Sequence, residues 1–294
     1  MIGKRSLGAT GLQVSVVGLG AGRIGGPDRS ADDVDRLVGA ALDAGVELFD
    51  TAPSYGLSEE RLGRAIAGRR DQLILSTKVG YGVPDVPDWT GRCVEAGVDA
   101  ALGRLGTDRL DLVHLHSCGL DVLERGEVVE ALGRAVQAGK VRVAAYSGEG
   151  DALLWAVRSR AFGAVQCSVS VVDQAVLDGA VTEARSAGLG VLAKRPLGNA
   201  PWRFPERPAE PDVAEAWNRF RALAPETGGL SWAELFTRFA AFAPGVDAVL
   251  VGTASVAHLL AAVGAVEKGP LEAERMASLR SAFARVGSRW AGRI

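Results

Sequence analysis

Short runs of β-branched and other apolar residues alternate along the whole chain with stretches rich in Ala, Leu and Arg. In those stretches apolar positions recur every three or four residues. The short runs predict strands at 16–19, 47–50, 73–78, 110–116, 141–147, 164–168, 190–193 and 248–251. The longer stretches predict helices at 31–44, 58–67, 92–105, 122–138, 152–159, 174–187, 230–241 and 255–266. Local signals support these boundaries. Ser30 with Asp33 three residues on has the form of an acidic capping box, and Ser58 precedes Glu59 and Glu60 in a first turn. Gly45, Gly68, Gly106, Gly139 and Gly188 each follow a helical stretch, where a left-handed residue is wanted.

Eight strands alternating evenly with eight helices imply a parallel sheet covered by helices. That count closes a (β/α)8 barrel; an open doubly wound sheet is the alternative. Residues 5–7 and 13–15 flank Gly8-Ala9-Thr10-Gly11 and read as a hairpin ahead of the first unit. No linker divides the chain, so residues 1–294 are expected to form one barrel domain. One long stretch, 196–229, shows no periodicity. It is rich in proline and holds Trp202, Phe204 and Trp217, which suits either a functional cover or a surface insertion. Beyond Leu271 the pattern turns helical again.

Composition narrows the function classes. Basic residues number 33 and acidic ones 35, giving net charge −2, and 48% of residues are hydrophobic. That excludes a disordered or fibrous chain, and the lack of a basic block argues against nucleic acid or an anionic membrane as partner. No stretch approaches the ~20 apolar residues of a membrane span, and the start lacks the apolar core of a signal peptide. Cys93, Cys118 and Cys167 stand far apart, without the spacing of a disulfide framework or a zinc site. A soluble, cytoplasmic protein is expected, monomeric by default because the helices show no second apolar stripe.

In such a barrel the reactive groups belong at the C-terminal ends of the strands. Those ends carry Asp50, Lys78, His116, Ser147, Gln166 and the pair Lys194-Arg195. Charges that directly continue buried strands, as in Phe49-Asp50 and Thr77-Lys78, must be paired with each other. Tyr55, five residues past Asp50, can reach the same spot. An ammonium beside a phenol favours the phenolate, and a phenol so placed can give a proton to a carbonyl oxygen. His116 could orient that carbonyl. The same residues would also suit a structural ion pair with a surface tyrosine and a core histidine. His114 and His116 lie two apart on one strand and share a face, but zinc needs three or four ligands and the only other histidine is His258. No metal is expected. Gly20-Ala21-Gly22-Arg23-Ile24-Gly25 spells GxGxxG after a strand, yet Gly26-Pro27-Asp28-Arg29 intervenes before the helix starts at Ala31. We read it as flexible rim backbone rather than a Rossmann fingerprint.

These residues resemble the aldo-keto reductase family. The resemblance begins at Leu7-Gly8-Ala9-Thr10-Gly11-Leu12-Gln13-Val14-Ser15 and Gly18-Leu19-Gly20. It is closest at Phe49-Asp50-Thr51-Ala52-Pro53-Ser54-Tyr55-Gly56-Leu57-Ser58-Glu59. It continues through Ser76-Thr77-Lys78, Leu105-Gly106-Thr107-Asp108, Asp111-Leu112-Val113-His114-Leu115-His116, Gly139-Lys140-Val141-Arg142, Tyr146-Ser147-Gly148 and Gly252-Thr253, in order. The resemblance implies a barrel that reduces an aldehyde or ketone with NADPH or NADH, NADPH being slightly favoured. It assigns Asp50, Tyr55, Lys78 and His116 as the catalytic tetrad, with Tyr55 the proton donor. For the cofactor it points to Ser147 and Gln166 on the carboxamide and Lys194-Arg195-Pro196-Leu197-Gly198 at the pyrophosphate. Gly252, Thr253, Ser255 and His258 fall at the adenosine phosphate, with Gly20, Ala21 and Asp50 as further contacts. The chain departs from the family pattern at Gly148, where many members carry asparagine, and at Val169, where an aromatic often stacks on the nicotinamide. His258 and Ala261 replace the arginine and acid common in NADPH-selective members, which removes a bidentate partner for a 2′-phosphate. Two other classes fit parts of this pattern: a non-catalytic nucleotide-binding regulatory module, and a barrel enzyme using Lys78 or Lys194 for Schiff-base chemistry.

Overall fold

Leu7, Leu12 and Val14 flank a tight turn, and this turn decides how the barrel is floored. In the computed structural model, which describes residues 2–287 and 289–292, Lys4–Ser6 (β1) and Gln13–Ser15 (β2) form an antiparallel hairpin. Its apolar side chains pack with Leu48, Leu112, Val143, Leu192, Ala248 and Leu250 in the barrel interior. Gly190 makes this approach possible, since a Cβ there would stand 2.4 Å from Leu7 Cγ.

The alternation of strand and helix continues as the sequence pattern requires. Val17–Gly20 (β3) leads to Ala31–Asp43 (α1), Leu48–Asp50 (β4), Ser58–Ala65 (α2), Ile74–Val79 (β5), Gly91–Leu105 (α3) and Leu110–His116 (β6). Then come two helices, Leu120–Glu124 (α4) and Glu127–Gln137 (α5), followed by Val141–Ser147 (β7), Gly150–Ser159 (α6) and Ala164–Ser168 (β8). Thr182–Ser186 (α7), Gly190–Lys194 (β9), Pro211–Leu223 (α8), Trp232–Ala241 (α9), Ala248–Gly252 (β10), Val256–Glu267 (α10) and Ala273–Val286 (α11) complete the order. Strands β3 to β10 close into a parallel barrel in sequence order, β10 pairing with β3 through Val249↔Val17 and Gly252↔Gly20. The open-sheet alternative is thereby excluded. A larger apolar layer lies between strands and helices, built from residues such as Leu19, Phe49, Leu75, Val113, Phe236 and Leu259.

The capping box forms as expected, Ser30 accepting from the Asp33 amide while Asp33 reaches back. Gly45, Gly68, Gly106, Gly139 and Gly188 all have positive φ. Three expectations change. The helix expected over 122–138 is broken at Gly126, whose φ of +80° cannot continue an α-helix. The helix expected over 174–187 starts as a π-helical turn at Leu177–Val181 before becoming α7. The stretch 196–229 contains α8, with Pro211 at its first turn, and a 3-10 turn at Pro201–Arg203. Aromatic packing holds this strap down: Trp202 lies 4.7 Å from Phe236 and Phe220 4.9 Å from Trp232, centroid to centroid. No helix among the described residues is long and apolar enough to cross a membrane.

Candidate active site

Parallel pairing sets Asp50 opposite Gly20 on one side and Ser76 on the other, so the end of β4 projects its carboxylate into the rim from a wall of small neighbours. Lys78, four-fifths of the way along β5, is drawn into the same spot. Its Nζ donates to Asp50 Oδ2 at 2.6 Å and to the Thr51 carbonyl at 2.7 Å, and the residue is 1% exposed. Burial works against both charges. For Asp50 the Lys78 ammonium, aided by hydrogen bonds from Lys78 and Ser76, outweighs that penalty and holds the carboxyl below its ordinary range. For Lys78 the neighbouring carboxylate likewise overcomes burial and raises the ammonium above its ordinary value. The pair is therefore ionised, as the sequence requires of charges that continue buried strands.

Tyr55 sits over this charge, its ring centroid 5.2 Å from Lys78 Nζ. The loop that carries it is fastened at several points. Tyr55 N–H donates to the Ala52 carbonyl, Leu57 N–H to the Gly25 carbonyl, and the Ser58 hydroxyl to the Ala21 carbonyl at 2.8 Å. The Gly20–Gly25 segment is not the flexible rim expected of it: Ala21–Ile24 forms a 3-10 turn packed on the Tyr55 loop. Gly25 is required there, because a Cβ would come within 1.5 Å of the Tyr55 carbonyl oxygen.

His116 ends β6 and meets the edge of Tyr55, the rings perpendicular and 6.3 Å apart. Burial, with the Lys78 charge, pushes its imidazole down to about 3, so it is neutral near pH 7. His114, one layer deeper and fully buried, is pushed down to about 4 by burial, and its Nε2 lies 3.1 Å from Ser76 Oγ. Among the described residues no group of three or more His, Cys, Asp and Glu is placed to hold a metal.

Above these residues opens a cleft of ≈ 1590 Å³. Single small-molecule pockets span roughly 300–1,000 Å³, so this one has room for a dinucleotide together with a small substrate. Asp50, Tyr55, His116, Ser147, Gln166, Lys194, Arg195, Pro196, Leu197, Gly20, Gly252, Thr253, Ser255 and His258 all line it. Three expected site residues do not. Lys78 acts from beneath, Ala21 is fully buried and offers its carbonyl to Ser58, and Gly198 faces a small neighbouring cavity. Between residues 195 and 200, where the strap leaves β9, three residues other than glycine have positive φ, Arg195, Asn199 and Ala200, a concentration of backbone strain next to the cleft.

Sequence reasoning passed over two groups. Glu149, just past the end of β7, is buried 3.4 Å from Lys194 Nζ, and its Oε1 accepts the Ser168 amide at 2.7 Å. Burial pushes its carboxyl up to about 7, while burial also lowers the Lys194 ammonium. Only the need of a cation at the end of β9 for a partner could have signalled it. The second is Tyr81, whose phenol lies 2.5 Å from His116 Nδ1 while the two rings stack at 5.4 Å.

Comparison with known proteins agrees with this geometry. The chain is 30% identical over 286 residues to the L-galactose dehydrogenase of Arabidopsis thaliana, covering 89% of this chain and 87% of that protein. It is 31% identical over 228 residues to the 6-dehydroglucose reductase of Novosphingobium aromaticivorans, covering 72% and 74%. The holo form of an aldo-keto reductase from Bacillus halodurans superposes with a TM-score of 0.84 at 25% identity, covering 96% of each chain. Residues 16–284 match the Aldo/keto reductase family as a whole, and the chain, with its closed eight-stranded barrel, is an oxidoreductase belonging to that family.

Proposed function

We propose that this protein interconverts a carbonyl and an alcohol on a small polyhydroxylated substrate, using NADPH or NADH and drawing the proton from Tyr55. One observation carries the reading: a fully buried ammonium, Lys78, is held between a carboxylate and a carbonyl directly under a tyrosine that opens on the cleft. An ordinary structural ion pair has no reason to present its charge to a phenol at a rim.

The cleft suits the nucleotide that the family uses. Ser147 and Gln166 offer amide and hydroxyl groups at its floor, Lys194 and Arg195 supply cations at the strap, and Thr253, Ser255 and His258 stand at the end of β10 and the start of α10. When bound, the nicotinamide supplies the hydride. The chain's own residues do the rest. Tyr55 gives its proton to the developing alkoxide. Lys78, unable to leave its two acceptors, keeps a positive charge beside the phenol as that proton departs. His116, neutral, serves as a hydrogen-bond donor to the substrate oxygen rather than as an acid. The printed names of two relatives, a dehydrogenase of L-galactose and a reductase of dehydroglucose, support a sugar or sugar-derived carbonyl as substrate. The proposal includes a monomeric enzyme working in the cytoplasm, where its three buried free cysteines suit a reducing compartment.

The test is a titration with NADPH and NADH, following quenching of protein fluorescence, with Trp202 on the strap as reporter. It is paired with oxidation of an aldose panel that includes L-galactose and with reduction of glyceraldehyde. Binding of one nucleotide, turnover, and a Tyr55→Phe variant that binds but loses about 10²- to 10⁴-fold in kcat are expected. Binding of neither nucleotide would overturn the reading in favour of Schiff-base chemistry at a lysine.

A further inference from the structure

The aromatic wall beside His116 is built with unusual care for a surface of mere packing. Gly80 adopts φ +125°, and a Cβ there would come within 2.2 Å of the Trp89 ring. Trp89 N–H in turn donates to the Gly80 carbonyl at 2.7 Å, and the Gly82 amide donates to Asp88 Oδ1 at 2.9 Å. The loop is thus folded back so that Trp89 backs Tyr81, centroids 5.6 Å apart, and Tyr81 backs His116, the two planes 29° from parallel. The Tyr81 oxygen lies 2.5 Å from His116 Nδ1 and 2.9 Å from Ser54 Oγ.

We propose that Tyr81 is a positioning residue for His116: its phenol donates to Nδ1, which fixes the ring's own proton on Nε2 and presents that N–H to the substrate oxygen. The proposal rests on the reading of Tyr55 and His116 as the carbonyl-reducing pair. A phenol has one proton to give. Its geometry would let it donate to Ser54 instead, but an imidazole nitrogen is a far stronger acceptor than a serine hydroxyl and is also the nearer of the two. In a neutral imidazole the hydrogen bond at one nitrogen decides which nitrogen carries the proton. His116 is held neutral by burial, so this choice is open to Tyr81. Nε2 makes no hydrogen bond among the described residues, and it is the nitrogen left for the cleft that His116 lines. Donation into Nδ1 also draws electron density from the ring. It strengthens the Nε2–H donor most when the substrate oxygen becomes an alkoxide, so its effect belongs in kcat rather than in KM.

The test uses the full chain labelled with ¹⁵N-histidine, read by two-bond ¹H–¹⁵N correlation. With three histidines in the chain, the His116 signals are assigned by their loss in His116→Gln. The wild-type protein is expected to show His116 as the Nε2–H tautomer. Tyr81→Phe, which keeps the ring packing, is expected to show a mixture of tautomers. With glyceraldehyde and NADPH that variant is expected to lose about tenfold in kcat, with KM within about twofold. A wild-type spectrum of the Nδ1–H tautomer overturns the proposal, as does a Tyr81→Phe variant with unchanged spectrum and kcat. The spectrum is read on the free protein. An enzyme that fails to turn over glyceraldehyde would therefore count against the proposed function and not against the tautomer.

Discussion

Gln166 reaches across the barrel rim to Asp50: its Nε2 donates to Asp50 Oδ1 at 3.1 Å, although the two residues are 116 apart in sequence. Gln166 Oε1 accepts in turn from the Ser147 hydroxyl at 3.0 Å. Asp50 Oδ1 is thereby shared between Gln166 and Ser76, while Oδ2 is kept for Lys78. The floor of the proposed nucleotide site and the ion pair under Tyr55 form one connected network. A substitution in either is expected to be felt in the other.

Asp50→Asn removes the countercharge and leaves Lys78 buried with only a carbonyl for company. Breaking a buried pair from one side costs about 3–5 kcal/mol. The expected result is a marked fall in the urea midpoint and loss of turnover of about 10²-fold or more. Adding Lys78→Met should restore much of the stability and none of the activity. A double variant no more stable than Asp50→Asn would show that the pair is not what the mutation disturbs.

Two neighbouring glycines should respond very differently to alanine. At Gly25 a Cβ meets the Tyr55 carbonyl oxygen at 1.5 Å, which forces the tyrosine loop to move. At Gly22 the nearest atoms are those of the Tyr55 ring at 3.5 Å, an ordinary contact. Gly25→Ala is expected to lower kcat by about tenfold or more while the chain stays folded, since a displacement of about 1 Å at a reacting group is costly. Gly22→Ala is expected to stay within about threefold of wild type, because an added contact at ordinary distance asks for little adjustment. Equal losses in both would separate loop packing from activity.

Acid stability follows from the buried titrating groups, with the signs worked through. His114 and His116 protonate near 6.5 in the unfolded chain but only at about 4 and about 3 when folded. Their contribution is complete above pH 6.5 and is lost as pH falls, by up to about 1.4 kcal/mol per histidine per pH unit. Glu149 runs the other way. Raised from 4.5 to about 7, it favours the folded state below 4.5 and loses that contribution as pH rises to 7. Between 4.5 and 6.5 two histidines oppose one carboxyl, so stability should fall with acid. Below 4.5 the offset ends, and Asp50, held low by Lys78 against its burial, adds to the loss. Urea midpoints at pH 7.5, 6.0, 5.0 and 4.0 check this; a flat profile from 6.5 to 4.5 contradicts it.

Nucleotide preference is expected to turn on the start of α10, where Ser255 caps the helix by accepting from the His258 amide. His258 is exposed there and lines the cleft. His258→Arg supplies a planar, permanently charged partner for a 2′-phosphate. It is expected to tighten NADPH by about tenfold, the worth of one good charge-assisted hydrogen bond, and to leave NADH within about twofold. Tightening of both nucleotides alike would place His258 away from the 2′-position.

What the sequence by itself determined was whatever depends on neighbours along the chain. The periodicity of residues 110–116 and 141–147 marked those strands to the residue. The glycines at 45, 68, 106, 139 and 188 stopped helices through their own backbone freedom, and Ser30 with Asp33 closed a cap within one turn. Strand ends and the order of short motifs pointed to Asp50, Tyr55, Lys78 and His116, which stand at or near the ends of strands that the barrel turns toward one rim. What only the tertiary structure decided depends on pairs far apart in sequence. Gly126 sits inside a continuous helical pattern, and only its left-handed conformation breaks the helix into α4 and α5. Helix α8 is fastened to the barrel by Trp232 and Phe236 from α9, contacts that no local pattern announces. Glu149 with Lys194, Gln166 with Asp50, and Tyr81 with His116 each join different strands or loops. Strand register and side-chain rotamer bring such groups together, and both are settled by packing of the closed barrel rather than by the residues on either side.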